Sequence, residues 1–182
     1  MPLQRTDSYV KDSIELFRHY KMLGETAMAQ CPDAGLTQML DPQSNSIATI
    51  TKHMHGNMIS RWTDFLTTDG EKPTRNRDSE FEKPPQTRMQ ILDLWDAGWK
   101  CLFSALEPLR DADLTTTVTI RGEEHSVMQA INRQIAHYSY HVGQIAYLAR
   151  HFAGDNWKSL TVPKNKSKEF NKDVESGKKS QR

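Results

Sequence analysis

Apolar residues recur at three- and four-residue steps over four separate long stretches of this chain. That period belongs to an amphipathic α-helix with one face turned to a core, not to a strand. The first stretch runs from about Ser8 to Ala29, with Ser13, Phe17, Tyr20, Leu23 and Ala27 in line behind a cap expected at Asp7. The second runs from about Ser46 to Thr67 along Ile47, Ile50, Met54, Met58 and Phe65. The third, from about Thr87 to Leu106, carries Met89, Leu92, Trp95, Trp99, Leu102 or Phe103, and Leu106 before Pro108 stops it. The fourth opens at Ser126, which with Gln129 matches a capping box, and continues to Ala153 and Gly154.

Between the first two stretches, Pro32 and Pro42 bracket a loop, CPDAGLTQMLDP. Between the last two, TTTVTIRGEEHSV alternates through Val118 and Ile120 around an Arg-Gly pair, which predicts a small β-hairpin before the fourth helix. There is no internal repeat and no glycine-rich phosphate loop. Four long helices with almost no strand read as an all-α four-helix bundle over residues 1–157. Residues 158–182 are polar, lysine-rich and weakly patterned, the signature of a solvated C-terminal tail. The connection from Thr68 to Gln86 is long for a bundle, whose linkers commonly span about 2–8 residues. Its composition suggests a solvated crossover, while Arg75 and Arg77 make it a candidate lid or subunit contact with an anionic group.

Charge narrows the function classes. Lys plus Arg is 24 and Asp plus Glu is 23, a net charge of +1 among 182 residues. A nucleic-acid binder driven by phosphate attraction needs a basic excess that this balance does not offer. No run approaches the roughly 18 apolar residues of a membrane span. The opening MPLQRTDSYV lacks the apolar core of a signal peptide, so the expected location is the cytoplasm. Two cysteines, Cys31 and Cys101, stand far apart with no CxxC, which argues against a disulfide framework or a cysteine-based zinc site. Cys101, inside a helix, reads as core.

Seven histidines are the compositional oddity. His137 and His141 stand four apart on the fourth helix, one turn above the other, at roughly 80–120° from the centre of its apolar line. Two neutral imidazoles so spaced can chelate a divalent transition metal, although many such pairs are merely hydrogen-bonded boundary residues. Tyr138 stands where the glutamate of an HExxH protease would be, which excludes that chemistry. A third ligand must come from another helix. The second offers His53 and His55, on opposite flanks of its apolar line, and periodicity does not choose between them. His19, His125 and His151 read as surface or loop residues.

The segment NSIATITKHMHGNMISRWTDFL, followed by INRQIAHYSYHVGQIAYLARH, resembles the DinB/YfiT-like superfamily, and more closely a bacterial branch of largely unassigned function. The intervening TDGEKPTRNRDSEF and VTIRGEEHSV resemble the same branch, so the likeness reaches about Lys164. The resemblance implies a four-helix bundle, commonly a homodimer, with a metal held by three histidines, one from the second helix and two from the last. Carried onto this sequence, the ligands are His53, His137 and His141, and Gln144 matches the Gln of an H-x-G-Q element. Asn57, one turn from His53, and the extra His55 become candidates for outer hydrogen bonds. Val142 stands where many relatives carry Arg.

A three-histidine site leaves an open position, as catalytic zinc sites do, and imidazole ligands suit zinc, nickel or iron. By resemblance, the leading expectation is a metal-dependent transferase that joins a low-molecular-weight thiol to a small electrophile. Metal-dependent hydrolysis of a small substrate is the alternative, and a non-catalytic, stress-related dimeric binding module a third. Expected partners are a second copy of the chain and a small molecule, with no nucleic acid and no membrane.

Overall fold

The computed structural model describes residues 5–180. It is mainly helical: α1 (Tyr9–Gln30), α2 (Asp33–Thr37), α3 (Ile47–Trp62), α4 (Arg88–Leu106), α5 (Val127–Ala153) and α6 (Ser167–Glu175). One antiparallel hairpin, β1 (Thr117–Ile120) with β2 (Glu123–Ser126), precedes α5.

Each long helix begins where a hydroxyl side chain can satisfy an otherwise unpaired N–H. Ser8, not Asp7, caps α1 by accepting from the Lys11 N–H. Ser46 does the same for α3, and Thr87 with Gln90 and Ser126 with Gln129 form full capping boxes on α4 and α5. The second helix ends at Trp62, short of the Thr67 expected from the apolar spacing. Asp64 adopts a left-handed backbone (φ 46), and the N–H groups of Thr67 and Thr68 both turn back to its carbonyl. Phe65 is still buried, so the spacing reported burial correctly while the backbone had already left the helix. The proline-bracketed loop contains α2, whose Leu36 is fully buried.

The long helices pack side by side, α3 along α4 and α1 along α5, with lighter α3–α5 and α1–α4 contacts between the pairs. The centre is aromatic. Phe17, Trp99 and Tyr138 are all fully buried, and their rings meet in tilted and edge-on pairs with centroids 5.8–6.3 Å apart. Gly24 of α1 lets the Trp95 indole lie flush against the helix, because a Cβ there would collide with the ring. Cys101 is half-buried beside Thr63, not in the core.

The crossover between α3 and α4 is exposed over much of its length but anchored at Gly70 and Glu80, which are buried. The Gly70 N–H donates to the Thr119 carbonyl, and the Asp69 carboxylate accepts from the backbone N–H groups of Arg121 and Gly122 at the hairpin turn. Both turn residues have positive φ (56 and 77), the two-residue geometry that suits hairpin twist. Trp157, the last residue of the expected bundle, and Leu160, within the expected tail, both pack against the core, and α6 forms with none of its residues buried. No helix among the described residues is long and apolar enough to cross a membrane.

Candidate metal centre

The strip of α5 beside its apolar line faces α3, and there the imidazoles meet. The Nε2 atoms of His53 and His137 lie 3.4 Å apart, and those of His137 and His141 3.1 Å apart. One ring nitrogen from each of His53, His137 and His141 falls within 4.8 Å of the others. Donors about 2.0–2.1 Å from a tetrahedral ion stand roughly 3.3–3.4 Å from one another, close to the His53–His137 and His137–His141 separations.

The far side of two rings is equally ordered. His53 Nδ1 is 2.8 Å from Glu80 Oε2, and His141 Nδ1 is 2.8 Å from Gln144 Oε1. An Nδ1–H donated to each acceptor leaves the Nε2 lone pair pointing at the shared point, the arrangement found behind metal-bound histidines. Glu80 is 5% exposed and is also gripped by Arg75, whose Nε and Nη2 donate to its two oxygens at 2.7 and 3.0 Å. Burial pushes its carboxyl upward, but the hydrogen bonds from His53 and Arg75 outweigh that and hold it below the usual range. Glu80 therefore stands ionised at neutral pH. Burial, reinforced by neighbouring imidazoles, lowers the pKa of His137 to about 3. Burial likewise lowers that of His141 to about 4, against the hydrogen bond to Gln144. Both rings are neutral at pH 7, the form that ligates metal. His137 Nδ1 is buried with no partner.

The remaining candidates fall into place unequally. Asn57 lines the same cleft, its Oδ1 accepting from the Tyr138 hydroxyl at 3.0 Å, and that hydroxyl accepts from Trp62 Nε1 at 3.1 Å. This chain orients the amide oxygen away from the imidazoles and leaves its NH2 to the cleft. Gln144 Nε2 donates in turn to the Tyr140 hydroxyl. His55 is on the other flank of α3, its Cα near Gly98 of α4, and outside the cluster. Arg75 is not the free cation expected of a lid, for its side chain is 5% exposed between Glu80 and Glu71. Arg77 stacks its guanidinium over Phe81 at 5.0 Å, and Phe81 in turn stacks on His53.

Glu80 is the residue that sequence reading missed. It sits in the short 3-10 helix Asp78–Phe81, 27 residues from His53, where no period links the two. The one local trace is Gly56 on α3: a Cβ there would collide with the Glu80 carboxylate. A cleft of about 320 Å³ opens beside His53 and His137, reached through the crossover and the hairpin turn.

Neither curated proteins nor solved structures yield a match to this sequence. Residues 4–166 do match a family model, described as a protein of unknown function (DUF1572). That span takes in the hairpin, the crossover with Glu80 and all three histidines, and the chain belongs to the DUF1572 family.

Proposed function

We propose that this protein is a DinB/YfiT-like four-helix bundle that holds a divalent transition metal, zinc or nickel first, through His53, His137 and His141. We further propose that it is a metal-dependent transferase joining a low-molecular-weight thiol to a small electrophile. The observation that carries this reading is the convergence of three Nε2 atoms while Glu80 and Gln144 hold the far nitrogens of two rings. A bound metal of this kind lowers the pKa of a thiol or water that reaches its open position.

The chain's own residues do the rest. Glu80 and Gln144 fix tautomers, so that Nε2 and not Nδ1 is the free nitrogen of His53 and His141. Asn57 offers an oriented amide to whatever enters the cleft. Neither Cys31 nor Cys101 lines it, so the nucleophilic sulfur comes from the substrate. In the transfer, the thiol gives up its proton, a carbon–sulfur bond forms, and the electrophile's leaving group departs with its electron pair. Tyr140 and Tyr147, exposed at 62% and 71% and seven residues apart on α5, support a homodimer contact on that helix.

The test is metal content of tag-free protein, wild type against His53→Ala and His137→Ala, followed by a screen of small thiols with alkylating electrophiles. The expected outcome is about one metal ion per chain, lost in both variants, and turnover that needs added thiol. Turnover without thiol would point to a hydrolase. Metal without any turnover would leave a binding module.

A further inference from the structure

The cleft beside the histidines is lined by an excess of cations, and we propose that it is the subsite for the anionic end of the small substrate. This rests on the preceding reading in placing the reacting group at the three-histidine centre. Anion binding itself needs no metal.

Five guanidinium groups line the cleft: Arg61, Arg75, Arg77, Arg121 and Arg133. Two carboxylates answer them. Glu80 pairs with Arg75, and Glu71 is shared among Arg61, Arg75 and Arg121. Three positive charges are left over, in a chain whose net charge is +1. Arg77 and Arg133 have no carboxylate partner among the described residues, and they come from different elements, the crossover and α5.

Two buried polar atoms also lack partners. Arg61 is 5% exposed, its Nη1 bonded to the Gly70 carbonyl and Glu71, yet its Nε has no acceptor. Gln134 is 2% exposed, and its Oε1 has no donor. Both side chains line the cleft, whose wall thus holds polar groups that the fold itself leaves unsatisfied. At about 320 Å³ the cleft suits a small molecule. The ligand class is a small carboxylate or phosphate.

The probe is inorganic phosphate, titrated calorimetrically into the chelator-treated full chain at pH 7.5. Wild type should bind one phosphate saturably. The double variant Arg77→Gln/Arg133→Gln, which disturbs no ion pair, should bind at least tenfold more weakly with an unchanged circular dichroism spectrum. His141→Ala should bind phosphate as wild type does. Absence of saturable binding, or binding indifferent to the arginine changes, overturns the proposal. Loss in His141→Ala alone would place the anion on the imidazoles and overturn it equally. A wild type that takes up no metal but still binds phosphate through Arg77 and Arg133 would defeat the metal reading and uphold this one.

Discussion

The two sides of α5 solve opposite problems with neighbouring residues. On one side, Tyr138 lies against Phe17 and Trp99 in a cluster held by area and shape. On the other, His137 meets His141 and His53, and His53 meets Glu80 and through it Arg75, where stability depends on each polar group finding a partner. The aromatic side tolerates approximation, since a ring shifted by a few tenths of an ångström still excludes water. The polar side does not, because one missing acceptor leaves a buried donor uncompensated. Tyr138 belongs to both: its ring is in the cluster, and its hydroxyl links Trp62 to Asn57. The precision of the candidate centre is thus borrowed from the packing behind it.

Trp99→Ala presses hardest on that division. It should lower unfolding free energy by about 3–5 kcal/mol, read from urea denaturation. If the two sides were independent, metal affinity per folded molecule would stay the same; weaker binding would show that the aromatic cluster positions the histidines.

Glu80→Gln works from the polar side. It keeps an acceptor for His53 but removes the charge that answers both His53 and Arg75. Metal affinity should fall by about 10–100-fold, measured by competition with a chromophoric chelator. An unchanged affinity would mean that Glu80 serves the crossover's fold and not the imidazole.

The smallest effect is a pH dependence of the metal-free protein. His137 and His141 titrate near 3 and 4 when folded and near 6.5 when unfolded, so between those limits the unfolded chain binds more protons. Their contribution is complete above about pH 6.5 and is lost as pH falls toward the folded values. From pH 7 to 6 the pair should cost roughly 1 kcal/mol, since both rings are partly open to solvent. Thermal melts of His137→Ala/His141→Ala should show a flatter slope over that unit than wild type.

How much of this was readable beforehand follows from chain geometry. His137 and His141 share a helix, so a four-residue interval placed them together. His53 and His55 were not separable by period, because the choice depends on which flank of α3 meets α5 and which meets α4. The starts of α3, α4 and α5 followed hydroxyl caps, the cap of α1 fell one residue later than expected, at Ser8, and the end of α3 is set by the left-handed backbone at Asp64, which no apolar pattern records. Arg75 and Arg77 stood out as charges, but the burial of the Arg75 side chain did not, since it depends on Glu80 and Glu71 from the same irregular stretch. A crossover without period hides its contacts. The Asp69 bonds to the hairpin turn, which fix its path, connect residues with no local relation in sequence.

Gly56 has a consequence for how the chain responds to losing its ion. With no side chain at that position, the crossover is seated on α3 by Glu80 and Arg75, and the same carboxylate orients His53. Freeing His53 from a ligand therefore loosens the loop before it loosens a helix. Limited proteolysis of ion-stripped protein should begin at the exposed run Asn76 to Asp78 beside Glu80, so that a protease reports the state of the centre from outside it.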